Sequence, residues 1–307
     1  MGTPDFSVPV LQALINSGFQ VDAVYTQPDR RAGRGQHVMS SPVKRLAESH
    51  GLYVVQIEKF KDAGNIEKLD ELKPDAIVVA SFGLLLPAEV LSIPKYGCIN
   101  VHPSLLPRYR GASPIATAIL RGDEITGVTI MLMDKGMDTG PILAQTEVPI
   151  SDDDTSGSLG EKLAKFGSRL LVETLNLLIE GHIKATPQDE TKATHTKMIK
   201  KEDGQIEWRL SASELWRRVR AFDPWPGSYT NWRGKRLKLL KVLPLPDGKN
   251  EEPGRVIALS HLSPVCVGVQ TGHGVLGLVK VQLEGKREMS AEEFARGQRD
   301  FIGSHLF

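Results

Sequence analysis

The chain has 307 residues, about twice the ~150 expected of one domain, with 40% hydrophobic and 24% charged; these are globular proportions that exclude a disordered, collagen-like or coiled-coil protein. Lys and Arg number 38 against 37 Asp and Glu, and a net charge of +1 gives by itself no hint of a nucleic-acid partner. The two isolated cysteines, Cys98 and Cys266, can build neither a disulfide framework nor a zinc site, and the longest apolar stretch, 76–91, is interrupted by Gly83 and Pro87; a cytoplasmic monomer with no metal and no membrane association is expected.

In chain order, the opening Met1-Gly2-Thr3-Pro4-Asp5-Phe6 reads neither as a signal peptide nor as a myristoylation site. Helical patterns at 8–17, 43–50 and 66–72 alternate with strand patterns at 21–26, 52–57, 76–80 and 97–102. That alternation predicts βαβ units and a doubly wound, mostly parallel sheet. Gly2-Thr3-Pro4-Asp5 reads as the turn after a first strand, but no strand precedes it. The first strand of such a sheet usually lies at its centre, so two internal strands are expected to show unpaired edges. A helix at 112–121 and strands at 127–133 and 142–150 follow. Asp152-Asp153-Asp154-Thr155-Ser156 offers N-caps for a long helix over 159–180, and the aspartate spacing does not fit a calcium loop.

Residues 182–204 lose periodicity and gather Lys184, Lys192, Lys197, Lys200 and Lys201, as an interdomain linker does. Beyond it, a helix at 212–221 precedes strands at 228–232, 237–243, 254–259, 265–270 and 277–283, a pattern that predicts a small β-barrel or sandwich. The expected plan is a domain over 1–181, a basic linker over 182–204 and a second domain over 205–307.

Gly272-His273-Gly274-Val275-Leu276-Gly277 has the letters of a dinucleotide fingerprint, but a strand pattern follows where a helix is required, so a glycine hairpin turn is the better reading. Arg30-Arg31-Ala32-Gly33-Arg34-Gly35 places three arginines in a glycine-containing loop, with Lys44 and Arg45 nearby. Either this is a solvated loop or it contacts phosphate, for which guanidinium forks are suited.

The segment Asn100-Val101-His102-Pro103-Ser104-Leu105-Leu106-Pro107-Arg108-Tyr109-Arg110-Gly111 ends a strand expected to be central, where open α/β sheets place ligands. Asp134-Lys135-Gly136-Met137-Asp138-Thr139-Gly140-Pro141 forms a second loop bearing two carboxylates. A carboxylate beside an imidazole favours the imidazolium. Asn and a protonated His together suit a developing oxyanion, which points to carbonyl chemistry. No nucleophile elbow is present, so no covalent enzyme intermediate is expected.

On these residues, Asn100-x-His102-x-Ser104-Leu105-Leu106-Pro107 with Asp138-Thr139-Gly140-Pro141, the chain resembles the 10-formyltetrahydrofolate-dependent formyltransferases. Gly2 to Phe6, Gln27-Pro28-Asp29-Arg30 through Gly35, and Ala221-Phe222-Asp223-Pro224-Trp225-Pro226-Gly227 narrow the likeness to the branch whose formyl acceptor is initiator methionyl-tRNA. The resemblance covers essentially the whole chain and implies an N-terminal Rossmann-like formyltransferase domain followed by an OB-like barrel. It implies Asn100, His102 and Asp138 as catalytic residues. Ser104, Leu105, Leu106 and Pro107 would contact 10-formyltetrahydrofolate, with Gly83 and Leu84 in the 83–87 stretch lining the pterin pocket. Arg34, helped by Arg31, Lys44, Lys200 and Lys201, would contact tRNA. The family's chains begin with a hydrophobic strand ahead of the Gly2-Thr3-Pro4 turn, so a late recorded start or a shortened form is expected here. The alternatives are a formyltransferase acting on a small amine, such as a nucleotide-sugar or ribonucleotide, and a non-catalytic RNA-binding protein.

The charge balance also conceals a polarity. From Lys201 onward there are 17 Lys and Arg against 13 Asp and Glu, while the first 200 residues hold 21 against 24. A basic C-terminal third is what a phosphate backbone would meet.

Overall fold

The computed structural model describes residues 1–32, 37–60, 64–246, 251–259 and 265–307, without the side chains of 31, 32 and 37. These divide into one unit of Met1–Pro114, Ile125–Pro149 and Gly160–Thr196 and another of Ile115–Glu124, Ile150–Leu159 and Lys197–Phe307.

In the first unit, Val24–Thr26 pairs in parallel with Val54–Gln56, and Ile77–Val79 in parallel with Cys98–His102. The helices Ser7–Asn16, Pro42–Ser49 and Asn65–Glu71 alternate with these strands. Ser41 caps the second helix by accepting from Lys44 N–H, and Pro42 occupies its first turn, where a missing N–H costs nothing. Leu11, Val24, Val43 and Ala47 form one apolar cluster, and Tyr25, Ile57, Phe60, Ile77, Val79 and Phe82 lie in another. Burying a Val, Leu, Ile or Phe side chain of this kind contributes about 1.5–3 kcal/mol.

Met1 and Gly2 stand between the two parallel pairs. Gly2 N–H donates to Tyr25 O at 3.0 Å, Ala80 N–H to Met1 O at 2.9 Å, and the Met1 ammonium to Val78 O at 2.6 Å. The neighbouring backbone borders a cavity of about 460 Å³ whose lining includes Val10, Leu14, Val24, Ile77 and Val78. The expected unpaired edges are thus bridged at these two residues and open onto the cavity beside them.

The sheet then changes direction. Cys98–His102 runs antiparallel to Ile125–Leu132, which runs antiparallel to Ile142–Pro149. The connection 133–141 is too short for a parallel crossover, which takes a dozen residues or more, so this end of a sheet expected to be mostly parallel is antiparallel. Gly167, on the helix Ser156–Ile179, is the close-approach point against this sheet: a Cβ there would press on Val101 and Val128. Residues 186–196, expected in the linker, lie on this unit. Thr186 bridges Ile142, and His195–Thr196 pairs in parallel with Arg110–Gly111.

The second unit carries a capping box, Ser211 with Glu214, at the start of helix Ala212–Ala221. Its antiparallel sheet runs in the order Ser228–Trp232, Lys235–Leu245, Val275–Leu283, Val267–Gln270, Val256–Ala258, with Met289–Ser290 added to Val275–Leu283. A register irregularity between Leu239 and Val242 increases the local twist, and the sheet curls into an OB-like half-barrel. Leu215, Val219, Leu237, Leu239 and Leu278 fill it, with Trp232, Phe294 and Phe301 packed edge to face. The glycine fingerprint is the turn between Val267–Gln270 and Val275–Leu283, with Gly274 at φ +78°. The helix Ala291–Gly297, with its own Ser290 and Glu293 capping box, was not expected from periodicity. No helix of the described residues is long and apolar enough to cross a membrane.

Gly127 joins the sheet to the loop after Cys98–His102, because a Cβ there would overlap the Thr146 carbonyl and the Leu105 side chain. Gly127→Ala is expected to destabilise the chain by about 1–3 kcal/mol through overpacking. An unchanged urea midpoint would show that the Thr146 backbone and Leu105 both give way freely.

Candidate active site

Strand periodicity places Cys98, Asn100 and His102 on one face of Cys98–His102, and Ile99 and Val101 on the other. Val79 pairs with Asn100, so the segment leaving Ile77–Val79 emerges alongside His102. The loop 133–141 returns across the face of the strand. Within it, Gly136 N–H and Thr139 Oγ1 donate to Asp134 Oδ1 at 2.9 and 2.6 Å, while Gly140 presses so close to the Leu132 carbonyl that a Cβ would collide. Asp138 sits at φ +55°, an uncommon conformation for a residue with a Cβ.

The expected trio converges. Asp138 Oδ1 lies 3.6 Å from His102 Nδ1 and 3.5 Å from Asn100 Nδ2, and Asp138 Oδ2 accepts from Gly111 N–H at 2.8 Å. Asn100 is half-buried, and Asp138 keeps 17% of its side chain exposed against 5% for His102. Asn100 and Asp138 therefore form the accessible edge, with the imidazole behind them. His102 Nε2 lies 3.1 Å from Tyr109 O. A carbonyl only accepts, so Nε2 carries the proton in this contact and Nδ1 faces the carboxylate.

Sequence reasoning expected an imidazolium maintained by Asp138. Burial pushes the His102 pKa below its ordinary value, and the raising effects of Asp138 and the Tyr109 carbonyl do not overcome it. Desolvation opposes the charged form more strongly than a carboxylate 3.6 Å away favours it.

Of the residues assigned to folate, Ser104 is fully buried and donates through Oγ to Arg108 O at 2.6 Å. Thr129 Oγ1 donates to Ser104 O and accepts from Leu106 N–H, and Gln145 Nε2 donates to Leu106 O at 2.8 Å. Leu105 packs by Gly127, and Leu106–Pro107 is a cis peptide bond. The Ser104 hydroxyl and carbonyl and the Leu106 amide and carbonyl in this turn are thus already engaged within the protein. Gly83 is exposed at φ +78°, where a Cβ would meet Gln27 Nε2, and Leu84 packs on the cluster of Tyr25, Phe60 and Phe82. Thr129, Gln145, Arg110 and Gln188 were not singled out by sequence reasoning, since each acts through partners distant in the chain. Among the described residues, no three of His, Cys, Asp or Glu are placed to hold a metal ion.

Comparison with known proteins fits this geometry. Residues 1–175 match the family model described as formyl transferase, and 198–299 match the formyl transferase C-terminal domain. A methionyl-tRNA formyltransferase of Agathobacter rectalis is 46% identical over 297 residues, 97% of this chain and 95% of that one. Another, from Dehalococcoides mccartyi, is 46% identical over 306 residues, 100% of this chain and 97% of that one. The chain belongs to the methionyl-tRNA formyltransferase family. A sugar 3N-formyl transferase, solved in the presence of dTDP and 5-N-formyl-THF, is 21% identical with a TM-score of 0.64, over 93% of this chain and 97% of that one. That likeness is one of fold.

The residues assigned to tRNA lie on both units, with Arg31 and Lys44 on the first and Lys200 and Lys201 on the second. Arg34 lies outside the described residues, as does the Arg31 side chain, although the Arg31 backbone belongs to the hairpin of Arg30–Ala32 with His37–Met39. Lys44 turns inward to Asp29 at 2.7 Å and Gln56 at 3.0 Å, and its ammonium holds the Asp29 carboxyl below the usual carboxylate range. Lys200 and Lys201 are exposed at the 3₁₀ turn Lys201–Gly204 of the second unit.

A depressed His102 pKa means that the native state binds fewer protons than the unfolded chain once the pH drops below about 6.5. The contribution to stability is complete above that pH and is lost as the pH falls through the native value. The melting temperature of the wild-type chain is expected to fall more steeply between pH 7 and 5 than that of His102→Gln. Parallel curves would show that His102 is not the group responsible.

Proposed function

We propose that this chain transfers the formyl group of 10-formyltetrahydrofolate to the α-amino group of initiator methionyl-tRNA, giving N-formylmethionyl-tRNA. The observation that carries this reading is the convergence of Asn100, His102 and Asp138 at one accessible edge, in a chain 46% identical to methionyl-tRNA formyltransferases over nearly its full length.

Free α-amino groups titrate near ~7.7–8.0, so a useful neutral fraction is present at physiological pH and the amine needs little activation. Attack on the formyl carbon forms a C–N bond and sends the carbonyl electron pair onto oxygen. Asn100 Nδ2 is the donor for that oxyanion. Asp138 takes the proton released by the amine and returns it to N10 as the bond from N10 to the formyl carbon breaks, so no net proton is lost. His102 stands behind Asp138, fixed by its Nε2–H on Tyr109 O, and its Nδ1, 3.6 Å from Oδ1, is the acceptor for Asp138 while that carboxyl carries the amine's proton.

Residues 1–181 would be the catalytic domain, with Gly83, Leu84 and the turn from Ser104 to Pro107 shaping the folate pocket, and 205–307 the domain that holds the tRNA body. Arg34 and Arg31, with Lys200 and Lys201, would supply phosphate contacts; Lys44 serves instead to order Asp29. A reaction that consumes charged tRNA belongs in the cytoplasm, where we take the chain to act as a monomer.

The direct test is transfer of labelled formyl from 10-formyltetrahydrofolate to initiator methionyl-tRNA, with uncharged tRNA and glycinamide ribonucleotide as controls. His102→Ala and Asp138→Asn are each expected to lower kcat at least ~100-fold, in the range for a lost general acid–base or oxyanion group. A loss below tenfold in a folded variant would remove that residue from the chemistry. Affinity for tRNA should fall steeply with salt through counterion release; a flat dependence would count against a phosphate-backbone partner.

A further inference from the structure

Arg110 is one of the largest fully buried side chains of the protein, 1% exposed, yet it carries a charge. Its Nε and Nη2 donate to Gln188 Oε1 at 3.0 and 2.8 Å, while Nη1 and Nη2 grip Glu190 Oε2 and Oε1 at 2.9 and 2.7 Å. Gln188 Nε2 in turn donates to Asp138 O at 2.8 Å and Gly140 O at 2.7 Å. A guanidinium can only donate and a backbone carbonyl can only accept, so this amide has one allowed orientation, with both its donors and its acceptor in use. The chain 186–196 also holds the other loop. Thr194 Oγ1 accepts from Tyr109 N–H at 2.8 Å, Thr194 O from Arg110 N–H at 2.9 Å, and Thr196 Oγ1 donates to Arg110 O at 3.1 Å.

These contacts meet two unusual backbone conformations of the site. Tyr109, at φ +63°, presents the carbonyl that receives His102, and Asp138, at φ +55°, presents the carboxylate. A residue with a Cβ in this region is disfavoured by roughly 1–2 kcal/mol and persists only when its surroundings hold it. At Asp138 the holding groups on its own carbonyl side come from Gln188.

We propose that Gln188, oriented by Arg110, is a positioning residue for formyl transfer that fixes the Asp138 carboxylate against Asn100 and His102. The inference rests on the functional reading given above. Gln188 touches none of the reacting atoms; it acts through the Asp138 backbone.

The test compares Gln188→Ala with Gln188→Glu. The glutamate variant keeps the side-chain length and an oxygen for Arg110 but has no donors for the carbonyls of Asp138 and Gly140. Both variants are expected to lower kcat about 10–100-fold with KM for each substrate changed less than threefold, and to melt within a few degrees of wild type. Exchange of the Gly111 amide, whose proton is held by Asp138 Oδ2, should accelerate at least tenfold in both. Wild-type kcat in Gln188→Glu, or unchanged Gly111 protection in either variant, would overturn the proposal. So would equal losses in kcat and rises in KM, which mark general damage to the pocket. If the wild-type chain transfers no formyl to methionyl-tRNA, the functional reading fails, and Gly111 exchange still decides whether Gln188 positions Asp138.

Discussion

A buried guanidinium imposes the strictest condition on this protein. With 1% of its surface exposed, Arg110 must have its donors matched by acceptors inside the protein, since an uncompensated buried charge costs about 3–5 kcal/mol. Gln188 and Glu190 meet that condition from 78 and 80 residues away. Once Arg110 is bound, the amide of Gln188 has no freedom, the carbonyls of residues 138 and 140 are fixed, and the carboxylate facing His102 is fixed with them. The glutamate's other face is open to solvent, which keeps the ion pair from requiring full desolvation of both partners.

The remainder of the first unit serves to hold the strand Cys98–His102 still. It is the point where the sheet turns from parallel to antiparallel pairing, so the flanking segments approach from opposite directions: one leaves Ile77–Val79 beside His102, and the other leaves Ile125–Leu132 beside Cys98 and folds back. Thr129 and Gln145, on the two antiparallel strands, satisfy the backbone of the turn from Ser104 to Leu106. A site with half-buried polar groups is rigid here because few of those groups lack a designated partner.

Much of this was legible in the sequence. The strand-end position marked Asn100 and His102, a glycine-rich loop with two aspartates stood beside them, and the family resemblance selected Asp138. The helix Ala212–Ala221 and the strand Ser228–Trp232 have the bounds that periodicity and caps indicate. Charge state was another matter. Local sequence shows that a carboxylate and an imidazole belong together, but the His102 pKa is decided by burial, which only the assembled fold defines. Lys44 looked like a phosphate ligand because it follows an arginine loop, while its actual partner, Asp29, lies 15 residues back. The segment 186–196 looked like a linker because its hydrophobic residues show no period. Its order comes from hydrogen bonds to residues 107–113 and 138–142, a kind of support that leaves no hydropathy signature.

That support has a bearing on where the catalytic part of the chain can be cut. The helix Ser156–Ile179 ends the last periodic element of the first half, and a fragment stopped just after it would still contain Asn100, His102 and Asp138. It would also contain Arg110 with neither of its acceptors, and Tyr109 without the hydroxyl that binds its N–H. The unit that holds Asn100, His102 and Asp138 therefore ends at Thr196, 17 residues past the point where its last helix stops.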